Sequence, residues 1–163
     1  MKFKELVNYT ARLCSNYPSL GIRVSQDDII EALNIAQEEV ASIMLNYLTR
    51  TEITDKKERE DYSLSLMDSE QVNIFMDYLN NPIQFQKDGS VDPFLPFYCH
   101  KLIGIMAVIN LTPIDRSNEL NSLYQLFNME YQKALRILDN LRENRPIRVK
   151  DEYLPYRFLD EEF

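Results

Sequence analysis

The 163-residue sequence predicts a mainly α-helical bundle of four to five helices, with a small β excursion and an extended C-terminal arm. Three observations predict it. Glycine is scarce, at 3 residues, among many Leu, Ile, Glu and Asn, which favours helices over a turn-rich sandwich. Apolar residues recur at helical spacing along several stretches. The last twenty residues are rich in aromatics and interrupted by Pro146 and Pro155, so no continuous helix contains them. The length suits one domain with a real core, and is short for two. We therefore divide the chain into a helical bundle domain over 1–143 and an extended arm over 144–163. Within the bundle, 51–92 is read as a linker, short strands and a short helix.

Phe3, Leu6, Val7, Thr10, Leu13, Cys14 and Tyr17 fall on one helical stripe, which Pro18 ends. After a turn through Ser19–Val24, Ser25 is a good N-cap, with Val24 before it and Ile29 placed to form a hydrophobic staple. The second helix starts near Gln26 and keeps its stripe through Ile29, Ile30, Leu33, Ala36, Val40, Met44, Tyr47 and Leu48.

Thr51 to Asp61 shows no apolar face after Ile53 and reads as a solvated linker. Tyr62, Leu64 and Leu66 then alternate with Ser63 and Ser65, the pattern of a short half-buried strand. Asp68 with Gln71 caps a third helix, Met67 and Val72 staple it, and Val72, Phe75, Met76 and Leu79 form its face. Asn80-Asn81-Pro82 closes it. Ile83 and Phe85 alternate with Gln84 and Gln86 ahead of an Asp88-Gly89 turn, so strands over 62–66 and 83–86 are expected to pair.

Asp92-Pro93 opens the next unit, with an irregular first turn forced by Pro96. Phe97, Tyr98, Leu102, Ile103, Ile105, Met106, Val108 and Ile109 then place apolar groups all round a helix, which predicts cover on most sides. The run has the length of a membrane span but contains His100 and Lys101, so a buried central helix is expected. Thr112-Pro113-Ile114-Asp115 reads as an N-cap, a first-turn proline and an acid, opening a further helix. In that helix Leu120, Tyr124, Phe127, Tyr131, Ala134, Leu138 and Leu141 alternate steps of four and three. This heptad specifies a packing seam, either within the domain or between subunits.

The arm carries Ile147, Val149, Tyr153, Leu154, Tyr156, Phe158 and Leu159, which are the candidate partner-binding residues, and ends at Phe163. Ordering so long a segment costs backbone entropy that side-chain burial alone does not clearly repay. Backbone hydrogen bonds are needed as well, and strand addition to another subunit would supply them. The alternative is an arm that packs along its own domain.

The chemistry-bearing residues are few. Cys14 and Cys99 with a single histidine cannot supply the four N or S ligands of a structural zinc site, and both thiols are expected reduced and buried. Cys99 and His100 are adjacent, so on a helix they point about 100° apart, a poor geometry for a Cys-His dyad. Asp27-Asp28 suits the helix N-terminus, Glu38-Glu39 a solvated face, and Asp160, Glu161 and Glu162 a solubilising terminus. No glycine-rich phosphate loop, nucleophile elbow or metalloprotease helix motif occurs. The reading is of no catalytic residue, no cofactor and no metal. The net charge of −8 disfavours a general phosphate-binding surface, although acid can line a passage that must not hold nucleic acid. The first residues lack the apolar core of a signal peptide.

Pro93-Phe94-Leu95-Pro96-Phe97-Tyr98 opening an apolar helix with Ala107, the turn from Asn110 to Thr112, Glu130-Tyr131 and Ala134 in a long helix, and the aromatic arm come in a telling order. Ile30-Glu31-Ala32-Leu33-Asn34, early in the second helix, belongs to the same pattern. In this order the chain resembles the head-to-tail connector proteins of tailed bacteriophages, also called adaptor or head-completion ring proteins. The resemblance implies a non-enzymatic virion protein, made in the host cytoplasm and placed at the head–tail interface. It implies a homo-oligomer, a dodecameric ring beneath the portal protein, with neighbouring ring or tail proteins as further partners. DNA is then only passing cargo, and no membrane is involved. Tyr153, Leu154, Tyr156 and Phe158 would reach the portal or an adjacent subunit. The rival reading is a small helical regulatory or host-interaction module that binds one protein through the arm or the heptad face.

Overall fold

The computed structural model describes residues 1–17, 24–58 and 70–143. Five α-helices occur among them: α1 (Phe3–Ser15), α2 (Gln26–Glu58), α3 (Glu70–Asn80), α4 (His100–Leu111) and α5 (Ser117–Glu143). A 3-10 turn, Phe97–Cys99, leads into α4. The centre of the bundle is α4, against which α1, α2 and α5 all pack, while α3 packs on α2. No helix among the described residues is long and apolar enough to cross a membrane.

The all-round apolar pattern of α4 has the expected result, since Leu102 through Ile109 are all buried. Each large aliphatic side chain so enclosed contributes about 1.5–3 kcal/mol. Gly104 lets α1 come close: a Cβ there would lie 2.8 Å from Tyr9 Cδ2 and 3.1 Å from Thr10 Oγ1. On α1, Phe3, Leu6, Val7, Thr10 and Cys14 form the buried stripe. The predicted stripe of α2 is buried from Ile29 to Leu48, with Tyr47 half-buried at its edge.

Ser25 caps α2 as the sequence requires. Its hydroxyl accepts the Asp28 N–H at 3.1 Å, and Asp28 Oδ2 accepts the Ser25 N–H at 3.1 Å, which makes a reciprocal box. Three other boundaries differ from expectation. α2 continues to Glu58, eight residues into the stretch read as a linker, because Glu and Lys sustain a helix without an apolar face. Thr112 ends α4 instead of starting α5: its hydroxyl donates to the Val108 carbonyl at 2.7 Å, and α5 begins only at Ser117. The apolar helix itself starts at His100, and Phe97 stands outside it, 66% exposed.

The expected strand at 83–86 is also corrected. The segment forms no ladder among the described residues, because side chains of α2 take the place of a neighbouring strand. Asn34 Oδ1 accepts the Phe85 N–H at 2.7 Å, Asn34 Nδ2 donates to the Phe85 carbonyl at 3.4 Å, and Gln37 Nε2 donates to the Ile83 carbonyl at 3.2 Å. Phe85 faces inward and packs against Phe3 in a tilted arrangement, ring centroids 5.0 Å apart. Gly89, at φ 73°, closes the turn that the Asp88-Gly89 pair signals. The strand expected at 62–66, the cap at Asp68 and the arm at 144–163 lie outside the described residues.

Candidate functional site

Several of the groups able to do chemistry are held by structural contacts or by burial. His100 is buried, its Nε2–H donating to the Leu95 carbonyl at 2.8 Å and its Nδ1 facing the Met1 ammonium at 2.7 Å. Those partners fix the neutral tautomer. Burial first, and the ammonium charge after it, hold the ring below the ordinary histidine range, against the bond to Leu95. Both ring nitrogens are thus engaged, and neither serves Cys99. That thiol is fully enclosed, and burial pushes its pKa far up, as burial also raises that of Cys14.

The paired carboxylates separate in the same way. Asp28 closes the α2 cap, whereas Asp27 meets Lys87 Nζ at 3.1 Å on an exposed surface. Glu39 Oε1 accepts from Asn110 Nδ2 at 2.5 Å, which ties α2 to the end of α4. The Tyr78 hydroxyl is pushed up to about 12, by burial first and then by the charge of Glu38, with the Gln37 amide acting in the opposite sense. No cluster of three or more His, Cys, Asp or Glu side chains suited to a metal occurs among the described residues.

Exposed apolar surface among the described residues includes the outer side of α5 and an aromatic ledge before α4. On α5, Leu138 and Ala134 are buried, Leu120, Phe127 and Tyr131 are half-buried, and Tyr124 is 54% exposed. Leu123, outside the predicted heptad, is fully buried. With Ala134 and Leu138 it marks the buried face of the helix, so the heptad face is rotated partly outward. Phe127 and Tyr131 stack there, 6.1 Å between centroids. The same helix is tied to α2 by the Tyr47 hydroxyl, which lies 3.0 and 3.2 Å from the two Asp139 carboxylate oxygens.

The ledge is built by Phe94 and Phe97, separated by Leu95, which is buried, and Pro96. Phe94 stacks on Tyr78 at 5.9 Å, while Tyr98 meets Phe97 edge-on at 5.6 Å and Phe75 at 6.5 Å. The Tyr98 hydroxyl also bonds Gln71 of α3. No family model, curated protein or solved structure matches the chain.

Sequence reasoning counted Phe97 with the core helix and gave Phe94 no surface role. The signal that could have separated them is the pair Pro93 and Pro96, which keeps this segment from joining α4. The predicted partner-binding residues Ile147, Val149, Tyr153, Leu154, Tyr156, Phe158 and Leu159 lie outside the described residues.

Proposed function

We propose that the chain is a structural subunit of the head-to-tail junction of a tailed bacteriophage. In this reading, copies form a ring beneath the portal, dodecameric by family resemblance, and extend the channel through which DNA passes. The arm, through Ile147, Val149, Tyr153, Leu154, Tyr156, Phe158 and Leu159, grips the portal or a neighbouring subunit. The net charge of −8 suits a passage that must repel phosphate.

One observation carries the reading: the order of elements in the C-terminal half. A proline-flanked aromatic segment opens the buried α4, a tight turn follows, and the long α5 leads into the arm. His100, Asp27, Asp28 and Glu39 each have a structural partner, which favours a building part over a catalyst. The test is native mass spectrometry of the protein alone and with the portal. A ring of high order supports the reading; a strict monomer that ignores the portal refutes it. Deleting 144–163 should leave the helical circular-dichroism signal in place and abolish assembly. Complexes of one copy with one partner would instead indicate the regulatory module.

A further inference from the structure

Single exposed apolar residues are ordinary on a protein surface. Phe94 and Phe97 differ because their positions are fixed from behind. Phe94 is 41% exposed and Phe97 66%, yet each ring rests on a tyrosine that is almost wholly enclosed. Pro93 and Pro96 restrain the backbone that carries them. A surface held in this way loses little freedom when a ligand covers it.

The position of α5 indicates what covers it. At 1.5 Å per residue α5 is about 40 Å long and α4 about 18 Å, so α5 runs well past the start of α4. It packs on the 3-10 turn that carries Phe97, and Asp139 is tied to Tyr47 of α2. The C-terminal end of α5, at Glu143, therefore lies at the end of the bundle where the ledge stands. Extended at about 3.3 Å per residue, 144–152 can span up to about 30 Å, enough to turn back to Phe97. Next in the sequence comes Tyr-Leu-Pro-Tyr-Arg-Phe, residues 153–158. A proline between aromatic residues is the chemistry that aromatic-lined surfaces take up, and Arg157 can add a cation over a ring face. Tethering places this segment at roughly millimolar effective concentration beside the ledge.

We propose that, in the free protein, residues 153–158 dock on the Phe94–Phe97 ledge of their own chain. The contact is independent of the connector reading. Were that reading to hold, docking would keep the arm folded back on an unassembled subunit until a partner displaced it.

The experiment is trypsin cleavage after Arg157 in the full-length protein, followed by mass spectrometry over a range of protein concentrations. Cleavage tracks the undocked population, so Phe97→Ser, at a side chain exposed enough to spare the fold, should speed it about tenfold. The double variant Phe94→Ser/Phe97→Ser should do at least as much, and Ile114→Ser, which alters an exposed residue remote from the ledge, should do nothing. Circular dichroism of each variant checks that the helices persist. Equal cleavage in the wild type and Phe97→Ser overturns the proposal. Protection that grows with protein concentration, together with mass, overturns it in favour of a second copy as the occupant.

Discussion

At the scale of single residues, Gly104 sets how closely α1 approaches the centre. Alanine there gains helix propensity, about 0.5–1 kcal/mol. Against that, its methyl group would sit 2.8 Å and 3.0 Å from the Tyr9 ring and 3.1 Å from Thr10 Oγ1. Thr10 cannot easily give way, since its hydroxyl is bonded to the Leu6 carbonyl at 2.8 Å. Overpacking costs about 1–3 kcal/mol, so Gly104→Ala should lower stability in urea titration, and by less when Tyr9→Leu is also present. His100 gives a pH dependence. Its folded pKa is depressed, whereas the unfolded chain binds the proton near pH 6.5. Below that pH the unfolded state holds more protons, so stability rises with pH there. The contribution is complete above about pH 6.5 and is lost as pH falls through the folded value. Midpoints measured from pH 5 to 8 should show this slope, and His100→Gln should flatten it.

At the scale of elements, periodicity reported burial faithfully for α1, α2 and α4 and less well for α3, where Met76 is 45% exposed, and for α5, where Tyr124 is 54% exposed. The buried faces of α1, of α2 up to Leu48 and of α4 are legible because their apolar spacing is the cause of their packing. The extension of α2 to Glu58 was not, since a polar helix needs no buried face. Ile83 and Phe85 show why alternation alone does not make a sheet: Phe85 points inward, but its backbone partner is the Asn34 side chain. Asn34→Ala should therefore cost about 1–3 kcal/mol, the loss expected when buried backbone groups are left unpaired. Hydrogen exchange at the Phe85 amide should rise by more than exchange in α4. Equal acceleration in both would mean that Asn34 supports the bundle as a whole and not this segment. In α5 the heptad rule marked a regular seam, whereas the fully or almost fully buried positions are Leu123, Ala134 and Leu138, with Tyr124 of the seam exposed. A spacing of three and four fits more than one face of a long helix, and only the neighbour decides between them.

At the scale of the whole molecule, three helices share one hub, and the two thiols report on its opening. Cys99 is fully enclosed at the start of α4, and Cys14 is 4% exposed on α1. Burial raises both pKa values, which keeps the thiolate scarce at neutral pH. A disulfide reagent at pH 8 should label neither in the native protein, and both together across the urea transition. Early labelling of Cys14 alone would show α1 detaching as a separate unit. Pro93 and Pro96 mark the Phe94–Phe97 segment as separate from α4, but its exposure depends on where α3 and α5 end up around it.

The hub also has a history in time. α4 is fourth along the chain but first in importance, so the apolar faces of α1 and α2 leave the ribosome before the surface they cover exists. About 60 residues separate Leu48 from the end of α4, and at roughly 5–20 residues per second the wait is about 3–12 s. Until then α2 has only α1 and α3 as partners, so the part of its apolar face that α4 covers stays open for those seconds.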